Sequence, residues 1–153
     1  RFLNEISRVG KKGYIETPSL IGEYLVPKKS HRWVILELDK KLVLMSKDDI
    51  GFNPSIEFGD LIQKHLIPNS IELQVLMRTY PDLFSVRYEW TESIDFVINP
   101  QDSKLRSLFI RSWTSEEIST IFKIRRSRKE QVFSFLRGLM SVGFDFIRHR
   151  LPL

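Results

Sequence analysis

Two runs of the chain alternate apolar and polar residues with a period of two, and they constrain its fold more than any other feature. The first, Arg32 to Lys47, sets Val34, Leu36 and Leu38 against Ile35 and Glu37, passes Asp39–Lys41, and returns as Leu42, Val43, Leu44 and Met45. The second, Leu83 to Asn99, sets Phe84, Val86, Tyr88 and Trp90 against Ser85, Arg87 and Glu89, turns at Thr91–Ser93, and returns as Ile94, Phe96 and Ile98. A strand sends successive side chains to opposite faces. Both runs therefore read as antiparallel hairpins with tight polar turns.

Helical spacing accounts for much of the rest. Phe2, Leu3, Ile6 and Val9 mark one apolar face over residues 1–9, with Gly10 placed as a C-cap and Gly13 at a tight turn. Tyr14–Thr17 reads as a short strand that Pro18 ends. Ser19–Val26 reads as a helix or an irregular segment, capped by Ser19 and stopped by Pro27. Ile56–Leu66 and Ser70–Tyr80 are helical by pattern with a break at Pro68, and Ile71, Val75 and Arg78 share a stripe. Thr114 or Ser115 followed by Glu116 and Glu117 is a helix-start signal. Val132, Phe135, Leu136, Leu139, Val142 and Phe146 then outline a long amphipathic helix, weakened by Gly138 and Gly143.

The 153 residues amount to one domain, and 42% hydrophobic against 28% charged residues is a globular balance. Without cysteine there is neither a disulfide framework nor a thiolate metal site, which suits the cytoplasm or another reducing compartment. No apolar run reaches the roughly 20 residues of a membrane span, and the first residues, RFLNEISRV, lack a signal-peptide core. The net charge of +5 is lopsided: residues 1–103 carry 13 Lys/Arg against 15 Asp/Glu, and residues 104–153 carry 11 against 4. Arg125, Arg126, Arg128, Lys129, Arg137, Arg148 and Arg150 make residues 125–150 a candidate contact for an anionic partner, nucleic acid or a membrane surface. The alternative is an apolar stripe packed on the domain with the arginines as a solvated rim, and the sequence favours it.

Chemical motifs are few. His31, His65 and His149 are far apart, none four residues from another, so no metal site is expected. There is no nucleophile elbow, P-loop or dinucleotide-binding glycine pattern. Glu16 with Asp39-x-Lys41 has the residue types of a metal-dependent nuclease, but a polar hairpin turn explains Asp39–Lys41 more simply.

The stretch FLNEISRVGKKGYIETPS resembles the late part of class I S-adenosylmethionine-dependent methyltransferases. There a helix ending in Glu, Leu or Ile, any residue, Arg, Val leads through a basic, glycine-containing turn into the fifth parallel strand. Glu5, Ile6, Arg8, Val9, Lys11, Lys12, Gly13 and Tyr14–Thr17 match that run. GYIETPS at Gly13–Ser19, followed by His31-Arg32-Trp33, is similar to one branch of the family. Lys12 and Leu20 depart from it, where arginine and a second proline are common. The resemblance is strong over residues 2–33, modest over 34–99 and absent beyond about 104.

What the resemblance implies is an α/β fold: a partial Rossmann-like methyltransferase domain, the late strand and crossover, with two antiparallel hairpins and a C-terminal helical segment. Residues 1–103 would form the end of the domain and 104–153 a basic helical tail. The cofactor would be S-adenosylmethionine, but the family's glycine-rich loop and ribose-binding acid belong to the first half of the domain. No cofactor-binding residue is therefore expected here, and the chain reads as a portion of a longer enzyme or a shortened relative kept as a structural subunit. Glu16, Thr17 and Ser19 would lie at the carboxyl end of the strand, where α/β sites form. Arg32 and Trp33 would shape a pocket for a methyl acceptor of unknown identity, with His31 as candidate general base. The blander alternatives are that Thr17 and Ser19 cap the next segment and that His31–Trp33 anchor the first hairpin. The expected function is methyl transfer. The alternative is a non-catalytic binding or assembly subunit whose basic tail contacts nucleic acid, a larger complex or an anionic membrane surface.

Overall fold

A computed structural model describes residues 2–52, 58–121 and 127–150. Helix α1 (Phe2–Val9) leads into strand β1 (Lys12–Pro18), helix α2 (Leu20–Leu25) and a hairpin of β2 (Trp33–Leu38) and β3 (Lys41–Ser46). Three short pieces run on as one helical stretch: α3 (Gly59–Leu61), a π turn (Ile62–Leu66) and α4 (Ile67–Asn69). Helices α5 (Ile71–Thr79) and α6 (Pro81–Phe84) precede strands β4 (Ser85–Thr91) and β5 (Phe96–Ile98). Helices α7 (Ser103–Ile110), α8 (Ser115–Ile121) and α9 (Arg128–Arg150) complete the chain.

The first hairpin forms as its alternation predicts, with Leu38 opposite Lys41 across a two-residue turn. Asp39 and Lys40 sit at φ 49° and 63°, the left-handed region that a tight hairpin turn demands. Residues other than glycine pay for that conformation by roughly 1–2 kcal/mol each. Lys40→Gly is expected to raise stability by about 0.5–1 kcal/mol after the extra freedom of glycine in the unfolded chain is subtracted. A urea unfolding midpoint that falls instead would show that the Lys40 side chain contributes to the fold.

The second run does not close on itself. β4 pairs antiparallel with β1, from Lys12 opposite Thr91 to Pro18 opposite Ser85. β5 leaves it and pairs parallel with β3, Leu42 to Leu44 against Phe96 to Ile98. Glu92 at φ 67° turns the chain, and its N–H donates to Lys11 O rather than across a hairpin. An isolated hairpin is marginal in water; here each strand gains a partner whose apolar face it extends. The alternation within β4 still holds, with Val86, Tyr88 and Trp90 buried and Arg87 and Glu89 exposed, while Phe84 belongs to α6.

Among the described residues no strand pairs in parallel with β1. β1 is one member of an antiparallel pair and exposes Lys12, Gly13, Tyr14 and Glu16. Such polar residues do not suit a strand covered on both faces. Just past its end, Ser19 makes an isolated parallel bridge to Ile35 of β2. Gly13 makes no tight turn: a Cβ there would lie 2.8 Å from Trp90 Nε1, so the indole packs directly on its backbone.

β3 is the central element. Val43 and Met45 face one core with Leu20, Val34, Leu36, Leu108 and Phe109. Leu42 and Leu44 face another with Val86, Tyr88, Trp90 and Ile94, closed by Leu3 and Ile6 of α1. Burial on both faces explains why its four apolar residues do not alternate with polar ones. The break expected at Pro68 falls instead at Ser70, whose hydroxyl accepts the Leu73 N–H at 3.2 Å. Proline has no N–H to give the preceding turn, and the wider π turn immediately before it takes up the mismatch. At α8 the capping box is complete: Thr114 Oγ1 accepts the Glu117 N–H, and Glu117 Oε2 accepts the Thr114 N–H at 2.8 Å. The forked Arg111 guanidinium, aided by that N–H, brings the Glu117 carboxyl down to about 2.

The expected packing of the α9 stripe on the domain is met in part. Of the stripe, Val142 is buried, while Val132, Phe135, Leu136, Leu139 and Phe146 are between 43% and 59% exposed. α9 comes closest to α5 at small and polar residues, and Val132, Phe135, Leu139, Val142 and Phe146 flank that approach, lining open clefts with α5. Ser134 Oγ donates to Thr79 O, Asp145 pairs with Arg78 at 2.5 Å, and Gly138 sits so close that a Cβ would lie 3.0 Å from Thr79 Oγ1. Arg125 and Arg126 lie outside the described residues.

Candidate functional site

A buried ionic cluster beside the end of β1 organises the site. Glu23, in the apolar run LIGEYL of α2, is 1% exposed and must find partners there. Lys47 Nζ donates to Glu23 Oε1 at 2.5 Å and to Lys28 O at 2.8 Å. The Lys28 N–H also donates to Oε1, and His31 Nδ1 lies 2.8 Å from Oε2. Burial alone would push the Glu23 carboxyl up; the bonds from Lys47, Lys28 and His31 outweigh it and hold it below its ordinary value. The cluster pins the loop between α2 and β2 and fixes His31 at its end. The Lys47 ammonium also lies 4.9 Å above the Phe52 ring, which meets Tyr24 edge-on.

A carboxylate can only accept, so in neutral His31 the Nδ1–H donates to Glu23 and Nε2 is left as the acceptor. That is the tautomer a general base requires. His31 lines a cleft of about 450 Å³ with Glu16, Thr17 and Pro18 from β1, Lys28 from the pinned loop and Ser85 from β4. Gln63 of the π turn enters from the far side, and Val26, Ile67, Met77 and Phe84 make its apolar wall. The volume suits a small ligand, and π turns occur often at functional sites. Tyr14 Oη donates to Glu16 Oε2 at 2.9 Å and orients that carboxylate. Tyr14 itself has a raised pKa, from desolvation first and the bond to Glu16 second.

Three of the residues expected at a site from the sequence thus converge here: Glu16, Thr17 and His31. Ser19 does not line this cleft. Its hydroxyl donates to Leu83 O at 2.6 Å and accepts the Gly22 N–H at 2.9 Å, capping α2. Arg32 and Trp33 are exposed at the start of β2, away from the cleft. Glu23 and Lys47 escaped the sequence reading. The signal for Glu23 was there, because a carboxylate inside an apolar helical run is rarely buried without a partner.

The residues around the cleft do not fit S-adenosylmethionine. Gly22, the glycine nearest the strand end, is closed off, since a Cβ there would lie 2.2 Å from Phe84 O. Among the described residues no group of His, Asp and Glu could hold a metal ion. No family model, no curated protein and no solved structure matches this chain.

Proposed function

We propose that the chain forms the acceptor-binding side of an S-adenosylmethionine-dependent methyltransferase, with His31 as general base. The observation that carries this reading is the convergence of Glu16, Thr17 and His31 on one cleft at the carboxyl end of β1, with His31 held by buried Glu23. The resemblance of Gly13–Ser19 and His31–Trp33 to the methyltransferase branch supplies the reaction class. No residue of this chain is assigned to the cofactor, and no step is drawn through it. The part argued for these residues is narrower. Glu16 and Thr17 accept hydrogen bonds from the acceptor, the apolar wall excludes water, and His31 Nε2 takes a proton from the acceptor's O–H or N–H group.

The full-length gene product should transfer labelled methyl groups from S-adenosylmethionine to one of three acceptor pools: protein, nucleic acid or small metabolites. His31→Asn keeps an N–H for Glu23 but removes the base, and should lower kcat by about 10²–10⁴-fold. A folded protein inert toward all three pools would overturn the methyltransferase reading. Full activity in His31→Asn would overturn the role of His31 alone.

A further inference from the structure

We propose that α9 docks this protein on the surface of an anionic lipid bilayer. At 3.6 residues per turn, the large apolar side chains of α9 occupy an arc about 180° wide. The arc runs from Phe135, Phe146 and Leu139 through Leu136 and Ile147 to Phe133 and Phe144. Phe133 and Phe144 are 62% and 70% exposed. The closest approach to α5 is made by small and polar residues, Ser134, Gly138 and Asp145. The near edge of the arc, Phe135, Leu139 and Phe146, lines open clefts against α5, while its far half, Leu136, Met140, Ile147, Phe133 and Phe144, is exposed and lines neither cleft.

Charge selects the occupant. The two acids of α9 are engaged close to home, Asp145 with Arg78 and Glu130 with the Ser127 N–H. Arg128, Lys129, Arg137 and Arg148 pair with no carboxylate among the described residues. Apolar insertion beside unneutralised cations is the combination that holds a helix in the headgroup layer of an anionic membrane. A second copy fits poorly. Arg128 and Lys129 stand at one end and Arg148 at the other, so parallel and antiparallel pairing both bring cations together. Nucleic acid would engage the arginines and leave the phenylalanines in water. Among the described residues no helix is long and apolar enough to cross the bilayer, so α9 would lie along it.

Vesicle flotation of the full chain tests this, with phosphatidylcholine alone and with phosphatidylserine added, at low and high salt. The chain should float with the anionic vesicles, less so at high salt, and stay down with the neutral ones. Arg137→Gln/Arg148→Gln should reduce partitioning by about 30-fold, and Phe133→Ser/Phe144→Ser by about 100-fold. Both pairs are exposed, so the circular dichroism of the variants should match that of the parent. Equal flotation with neutral lipid, no flotation, or flotation that neither variant alters would each overturn the proposal. So would a concentration-dependent dimer that leaves the vesicles, or retention on a nucleic-acid column alone.

Discussion

Glu23→Gln is expected to lower the unfolding free energy by about 3–5 kcal/mol at neutral pH, because it strands a buried Lys47 without its counter-charge. The stability that Glu23 contributes should depend on pH. The Glu23 pKa is depressed below 4.5 in the folded state, so the folded state gives up this proton more readily than the unfolded one. The resulting stabilisation is fully present above the unfolded value and is lost as pH falls through the folded one. Urea unfolding at neutral and acid pH should show a larger acid loss in the parent than in Glu23→Gln, which keeps the part supplied by Glu117 and the other depressed carboxylates. Glu23→Leu/Lys47→Met removes both charges and should recover most of the loss, since apolar replacements of buried pairs are often neutral or better. A single-variant cost below about 1 kcal/mol would mean that the cluster does not hold the loop.

Trp90→Ala is expected to cost roughly 3–5 kcal/mol, the range for emptying a large aromatic site. Trp90 is 5% exposed and fills the space between β4, Gly10 and Gly13, with α1 closing over that core. Its indole N–H meets no acceptor among the described residues. Packing rather than hydrogen bonding is therefore what it contributes, and Trp90→Phe should recover more than half of the loss. Trp33→Ala is the control: Trp33 is exposed, and its removal should cost less than about 1 kcal/mol. Equal losses at the two tryptophans in urea titrations would refute the packing account.

Much of the local structure was legible in residue order. The β2–β3 hairpin, the Ser19 cap and the Thr114–Glu117 box each depend on neighbours within a few positions, and each forms as those neighbours require. The alternation of β4 was legible too, but not its partner. Period two specifies which face of a strand is buried and says nothing about which edge meets which strand. Hence Val86, Tyr88 and Trp90 were placed on one face while the pairing of β4 with β1 was missed. The same limit applies to the site. His31, Glu16 and Thr17 could be named from a motif, but the Glu23–Lys47 pair that fixes His31 spans 24 positions and leaves no periodic trace. On α9 the pattern found the residues that flank α5, Val132, Phe135, Leu139, Val142 and Phe146, but not Phe133, Phe144 and Ile147 beyond them, nor that the close approach depends on Gly138.

The pairing of β1 with β4 has a consequence for the order of events as the chain is made. The hairpin turn joins β2 to β3 across two residues, whereas β1 must wait for a partner about 70 residues further on. Loop-closure entropy rises by about 0.6 kcal/mol per doubling, so this contact begins roughly 3 kcal/mol behind the hairpin. A ribosome has to deliver Thr91 before Lys12 can be paired in full. Until then Lys12–Pro18 is an open strand edge, and its lysine and terminal proline are residues that discourage a stranger from adding to it.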